Sequence, residues 1–327
     1  MNADAPLLAV RDLHVEFSVR GEGLLAPRRT LRAVNGVSFE IRPGETLGIV
    51  GESGCGKSTL ARAILNLVPS QSGSIAWMGQ EMRGAGASQW QAVRRHAQMV
   101  FQDPLASLNP RMNVAQIVGE PLRTHRPELS AAQVRERVAA MLDRVGLGAA
   151  HLNRYPHEFS GGQCQRIGIA RALILEPRLV VCDEPVSALD VSIQAQIINL
   201  LQDLQQEMGL ALVFIAHDLA VVRHVSQRIL VMYLGRVMEL AAKEALYSQP
   251  RHPYTQALLA SVPIPDPRLE RAKKVQLLQG ELPSPLALPG GCVFRTRCPR
   301  AFDKCAAEVP PLAAVDAQSR AACWLYE

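Results

Sequence analysis

Apolar and polar positions alternate with a period of two near the start of the chain, at Leu13, Val15 and Phe17 and again at Val37, Phe39 and Ile41, which predicts half-buried strands. A Gly- and Arg-rich stretch from Arg20 to Arg29 separates them as a hairpin loop, and Arg42-Pro43-Gly44 reads as the next turn. Thr46 to Val50 is a short apolar strand running straight into glycines, after which Leu60, Ile64 and Leu67 stand at helical spacing within Ser58 to Leu67. From Pro104 to about Ala172 the strand signals fade, and segments such as Ala131 to Val145 carry apolar residues at helical spacing, so an inserted helical subdomain is expected over 104–172. Leu179 to Cys182 and Ala211 to Ala216 are short unbroken apolar runs suited to parallel strands buried on both faces, with Ile193 to Glu207 as the crossover helix between them. After Gly235 the pattern weakens, and Pro263 to Pro289 is proline-rich with little periodicity, a linker or an irregular surface wrap.

The class implied is α/β, with one large domain over 1–250 and a smaller extension over 251–327; 327 residues at 48% hydrophobic content can bury such a core. The longest apolar runs, Leu210 to Ala216 and Ile229 to Leu234, end after one strand's length, well short of the roughly 20 residues a spanning helix needs. Asp4 comes early in an N-terminus that lacks a basic stretch leading into an apolar one, so a secretory signal is not expected and the chain should stay in the cytoplasm. In that reducing compartment seven cysteines point to metal binding or burial rather than disulfides. A net charge of +5 is mild for this length and no aromatic-interleaved basic stripe accompanies it, so nucleic acid is not an expected partner.

The strongest chemical signal is Gly51-Glu52-Ser53-Gly54-Cys55-Gly56-Lys57-Ser58, placed between a strand and a helix. Gly51, Ser53, Gly54 and Gly56 let backbone N–H groups turn inward around phosphate oxygens; Lys57 reaches the β- and γ-phosphates, Ser58 ligates Mg²⁺, and Thr59 completes the candidate ATP-binding set. A second signal is Leu179 to Glu184, a buried strand that delivers two carboxylates to its C-terminal edge. Asp183 is then available to Mg²⁺ and Glu184 to the attacking water as general base; the alternative is a strand that ends in solvated acids.

Phe159-Ser160-Gly161-Gly162-Gln163, lying just before a helix, resembles the signature motif of ABC ATPases. That resemblance implies a P-loop cassette, with a RecA-like core, an N-terminal antiparallel β region and an inserted helical subdomain. It also implies that Ser160, Gly162 and Gln163 contact the γ-phosphate of ATP held by a partner cassette, one chain supplying half of each of two sites. Further positions follow in family order: Gln102 resembles the Q-loop glutamine that senses Mg²⁺ and the membrane partner, Asp190 in Ser187-Ala188-Leu189-Asp190 the D-loop residue at the dimer interface, and His217 the switch histidine on the γ-phosphate. Phe17 is the candidate aromatic for stacking on adenine, a core strand residue being the alternative.

Two further stretches narrow the resemblance. Ala106-Ser107-Leu108-Asn109-Pro110-Arg111 and Arg251-His252-Pro253-Tyr254-Thr255, the latter followed by Gln256-Ala257-Leu258-Leu259, are similar to those of ATP-binding subunits of dipeptide and oligopeptide permeases. The partners implied are a second, related ATPase subunit in a heterodimer, two transmembrane permease subunits and an external peptide-binding protein, with the chain peripheral at the cytoplasmic face of the inner membrane. Cys164 departs from the charged or polar residue the family places after the signature glutamine. The competing classes are a soluble ABC ATPase acting on nucleic acid or ribosomes, and a small-molecule kinase. The first generally carries two cassettes, a coiled coil or a zinc insertion, and the second leaves Ser160 to Gln163 and His217 unexplained.

Cys292, Cys298, Cys305 and Cys323 crowd into a segment with little apolar periodicity, a setting in which a metal staple is expected. Four thiolates suit tetrahedral zinc or an iron–sulfur cluster, close CxxC pairs typical of zinc ribbons are missing, and the permease resemblance implies a four-iron (4Fe-4S) cluster, with zinc second and unliganded thiols third. Cys55 and Cys182 are expected as packing residues, Cys55 being also a candidate target of thiol reagents.

Overall fold

The computed structural model describes residues 5–20, 27–262, 268 and 280–327. The tip of the expected 20–29 loop and much of the 263–289 linker lie outside the described residues. In chain order the elements are β1 (Leu8–Arg20), β2 (Arg28–Ile41), β3 (Thr46–Val50), α1 (Lys57–Ile64), β4 (Ser72–Trp77), β5 (Gln80–Glu81), α2 (Ala87–Arg94), β6 (Ala97–Val100), α3 (Val114–His125), α4 (Ala131–Arg144) and α5 (Gly161–Leu173). There follow β7 (Leu179–Asp183), α6 (Val191–Met208), β8 (Ala211–Ile215), α7 (Leu219–Val225), β9 (Arg228–Tyr233), β10 (Arg236–Ala242), α8 (Lys243–Ser248), α9 (Pro253–Ser261), a short helix at Asp303–Ala307, β11 (Ala313–Ala314) and β12 (Ser319–Ala321). They form two compact units, one built on Gly84–Ile215 with Ile41–Thr46, the other on Pro6–Glu40, Leu47–Arg83 and Ala216–Glu327.

In the first unit β6, β7 and β8 pair in parallel, Val100 opposite Cys182 and Asp183 opposite Ile215. Every residue of β7 and β8 is buried, as their unbroken apolar runs require. The helices α3, α4 and α5 pack on one another, as expected for the inserted helical stretch. Their starts are written in the sequence: Asn113 with Gln116, Ser130 with Gln133, and Ser160 with Gln163 each form a reciprocal capping box that satisfies two of the orphan N–H groups of a helix start.

The second unit carries an antiparallel sheet in the order β2-β1-β4-β5 and, separately, the strands β3, β9, β10, β12 and β11 side by side in that order. β3 runs parallel to β9, whose hairpin with β10 is bulged near Met238. The described residues of the extension pack more closely than their weak periodicity predicts. They add β12 to the free side of β10, Glu239 opposite Ala321, and share a core with β9: Phe294 and Tyr254 are fully buried, with the rings of Tyr233 in β9, Tyr254 and Phe294 4.8–5.3 Å apart and His252 5.6 Å from Phe294. Aromatic side chains carry large apolar area at fixed geometry, so a few suffice where periodicity is missing.

That core removes the reason for a metal staple, and the expectation of a four-iron cluster or zinc at Cys292, Cys298, Cys305 and Cys323 is overturned. Among the described residues no group of three or more His, Cys, Asp or Glu is arranged to hold a metal ion. The segment is closed instead by backbone bonding, Cys292 N–H donating to the Cys305 carbonyl at 2.8 Å. Cys292 and Cys305 are buried, and burial, with the neighbouring thiols adding to it, pushes Cys292 up to about 11, a protonated thiol.

His252 adds a pH-sensitive element to this core. Complete burial lowers its pKa to about 3, and its Nδ1 accepts the Tyr254 N–H at 3.0 Å. Glu239 beside it, accepting the N–H groups of Arg251 and His252 at 2.9 and 2.8 Å, is shifted upward, chiefly by burial. The unfolded chain binds a proton at His252 below its ordinary value near 6.5 while the folded chain does not, so this contribution to stability is full above that pH and is lost towards pH 3. Each pH unit below the ordinary value costs about 1.4 kcal/mol, with Glu239 acting in the opposite direction. The gap in melting temperature between the parent and His252→Asn is therefore expected to narrow between pH 7.5 and 5; a gap independent of pH would contradict a neutral buried His252.

Candidate functional site

The phosphate loop begins where β3 ends. Gly51 and Gly56 have φ values of +156° and +103°, and a Cβ at either would meet a backbone oxygen, Met232 O at 2.2 Å or Ala33 O at 2.0 Å. Only glycine therefore satisfies both the dihedral and the space. Ser53 and Gly54 face solvent while Lys57 is buried, its ammonium donating to the carbonyls of Gly51 at 2.8 Å and Glu52 at 3.1 Å. The N-terminus of α1 carries no side-chain cap, which leaves its positive end for an anion. Ser58 and Thr59, both half-buried, stand in its first turn. Cys55 is buried and its thiol is raised, by burial first, so the suggested reactivity toward thiol reagents is not supported.

His217 follows β8 and is exposed. The N–H of Ala216, immediately before it, donates to Ile49 O at 3.1 Å, so the chain carrying His217 runs beside the strand that feeds the loop. Phe17 is 38% exposed while Leu13 and Val15 on the same strand are fully buried. The core alternative for Phe17 therefore fails, and an exposed aromatic face remains.

In the first unit the register of β6 and β7 decides what meets. Val100 lies opposite Cys182, so the residues two positions on, Gln102 and Glu184, leave the sheet side by side, and Gln102 Nε2 donates to Glu184 Oε2 at 3.1 Å. Asp183 is fully buried at the end of β7. Glu184 has φ +45°, a conformation costly for a residue with a Cβ and found where surrounding structure holds a functional group in place. Its N–H donates to Ile215 O at 3.1 Å and its carbonyl accepts the Ser187 hydroxyl at 3.1 Å. Cys182, completely buried, is pushed up to about 12 by burial and then by Asp183, and serves as packing.

Ser160, Gln163 and Asp190 have local duties that the motif reading did not assign. Ser160 caps α5, accepting from Gln163 N at 3.4 Å, while Gln163 Oε1 accepts the Ser160 N–H at 3.0 Å. Asp190 caps α6, accepting from Ile193 N at 3.0 Å. Gly162 sits where a Cβ would lie 2.5 Å from Ile193 Cγ2, so the helix starts are seated against each other. Cys164 points away from this surface: it is buried, with its thiol donating to Pro156 O at 3.5 Å, which explains how the departure from the family residue is tolerated. Arg171, missed in the sequence, joins the signature helix to the stretch after Gln102: it donates to Ser107 O at 2.6 Å and its guanidinium lies 5.9 Å from the Phe101 ring.

Residues 34–187 match the family described as ABC transporter, and residues 238–305 match the oligopeptide/dipeptide transporter C-terminal region. The oligopeptide transport ATP-binding protein OppF of Salmonella typhimurium is 62% identical over 94% of this chain and 92% of its own length. This chain belongs to the peptide-permease family of ABC transporter ATP-binding proteins. The corresponding protein of Haemophilus influenzae is 59% identical over 97% of this chain and 96% of its own length. Among solved structures, a dimeric ATP-binding cassette in a post-hydrolysis state with ADP and phosphate superposes with a TM-score of 0.64 at 28% identity, over 72% of this chain and 98% of that one. The ABC cassette therefore has the expected α/β fold and is an ATPase of the transporter class, with an ATPase partner and membrane permease partners, and no described helix of it is long and apolar enough to cross a membrane.

Proposed function

We propose that this cassette hydrolyses ATP to drive import of di- or oligopeptides, peripheral at the cytoplasmic face of the inner membrane. The observation that carries the reading is the union, in one chain, of a glycine-demanding phosphate loop with the C-terminal region of peptide transporters. Its partners would be a second, related ATPase subunit in a heterodimer and two permease subunits, with an external peptide-binding protein delivering the substrate.

The chemistry follows from the side chains. Glu184 takes the proton of a water molecule as the water oxygen bonds to the γ-phosphorus and the bond from that phosphorus to the β,γ-bridging oxygen breaks, releasing ADP and phosphate. Gln102 holds one carboxylate oxygen of this base. Gly51, Ser53, Gly54, Gly56, Lys57, Ser58 and Thr59 would bind the phosphates, Phe17 the adenine and His217 the γ-phosphate. Ser160, Gly162 and Gln163 would face ATP on the partner cassette, with Asp190 at the interface. The hydroxyl of Ser58, the carboxylate of Asp183 and the amide oxygen of Gln102, whose nitrogen is turned to Glu184, are the hard oxygen donors Mg²⁺ requires. Accompanying ATP, the ion would neutralise charge developing on the phosphates.

The test is reconstitution of the chain with its permease and ATPase partners in liposomes. Peptide delivered by the external binding protein should raise ATP hydrolysis and enter the vesicles; ATP hydrolysis indifferent to peptide, with no uptake, would sink the import reading while leaving the ATPase.

A further inference from the structure

Glu52, the second residue of the phosphate loop, is held by the extension at two points. Its backbone N–H donates to Tyr254 Oη at 3.0 Å, and both its carboxylate oxygens accept from Arg297 Nη1, at 3.0 and 2.8 Å. Its carbonyl is one of the two that hold the Lys57 ammonium. We infer that Arg297 and Tyr254 are positioning residues for ATP, forming a clamp by which the C-terminal extension sets the shape and charge of the phosphate loop. The inference rests on the ATPase reading above.

The electrostatics explain why a clamp is needed. A carboxylate at the mouth of a phosphate site repels the ligand unless a cation neutralises it, and the repulsion grows as water is excluded. The Arg297 side chain is only 11% exposed and that of Glu52 26%, so the pair lies where screening is weak. Burial works against the charge of Arg297, but the bonds to Glu52 and Tyr233 outweigh it and keep it protonated. Nη1 also reaches Tyr233 Oη at 3.4 Å, and the guanidinium lies 5.9 Å from that ring. Tyr254 is rigid for the same purpose: Pro253 opens α9, His252 caps it, and Glu239 accepts the two N–H groups before it. The Arg251 to Thr255 stretch, which has no part in hydrolysis itself, thus acquires a physical role in aiming one hydroxyl at the loop.

The experiment is equilibrium binding of Mg²⁺-ATP to the purified full chain, with melting temperatures, for Arg297→Met, Glu52→Gln, the double variant and Tyr254→Phe, which keeps the buried ring. Arg297→Met is expected to raise the ATP Kd about tenfold by exposing the phosphates to a bare carboxylate. Adding Glu52→Gln should bring it back to within about threefold of the parent, since the charge that did the harm is gone. Tyr254→Phe should weaken binding in the same direction, and in the reconstituted transporter Arg297→Met should raise KM for ATP with kcat held within about twofold. A parent-like Kd for Arg297→Met, or a loss that Glu52→Gln does not relieve, would overturn the clamp. A parent chain that does not bind ATP would overturn the ATPase reading and the clamp with it.

Discussion

Replacing Glu184 by Gln is expected to lower ATP turnover by about 10²- to 10⁴-fold, the usual contribution of a general base, while ATP binding stays within about twofold of the parent. The amide preserves the shape of the side chain, and its oxygen can still accept the Gln102 Nε2–H that now reaches Glu184 Oε2 at 3.1 Å, so the geometry at the end of β7 is retained. What disappears is the basic oxygen that takes the proton from water. The backbone at φ +45° is unaffected, because Gln meets the same Cβ restriction as Glu. Steady-state phosphate release beside equilibrium ATP binding separates the two effects. Turnover near the parent rate would remove Glu184 from the base role; loss of binding together with turnover would mean that the carboxylate shapes the nucleotide site instead.

Lys57→Ala is expected to act on the other quantity, raising the ATP Kd by about 100-fold, equivalent to about 3 kcal/mol for a charge-assisted interaction. The ammonium is buried and held by the Gly51 and Glu52 carbonyls, so its removal deletes both the positive charge offered to phosphate and the tie that draws the two carbonyls inward. The contrast with Glu184→Gln is the informative feature: one variant binds without turning over, the other fails to bind. ATP affinity unchanged in Lys57→Ala would show that the backbone N–H groups and the helix end suffice for the phosphates.

The expectation of a metal site at the four cysteines rests on weak apolar periodicity and on the permease resemblance, yet Tyr233, Tyr254 and Phe294 form a buried cluster whose members lie far apart in sequence. Period-based reading detects a face that repeats along one element and is blind to a core assembled from single residues of several. Cys55 is buried, as expected of a packing residue, and burial raises its thiol, against its candidacy as a target of thiol reagents. Conversely, the capping duties of Ser160 and Gln163 were legible, since Ser followed three residues later by Gln before an apolar run is a helix-start pattern.

The sequence by itself determined what is local: strand, glycine loop and helix over 46–64, the buried strand ending in Asp183 and Glu184, the helix starts, and the ordered motifs from which the ABC transporter family could be read. Those features depend on side-chain type, spacing and backbone permissiveness within a few residues. Only the tertiary structure decided the contacts between residues with no local relation. Gln102 meets Glu184 across 82 positions because β6 and β7 pair in one parallel register, and Arg297 reaches Glu52 across 245 positions. Neither partner carries any sign of the other, since a hydrogen bond or ion pair is fixed by where folding places two atoms, and that placement is set by strand register and core packing rather than by either residue's neighbours.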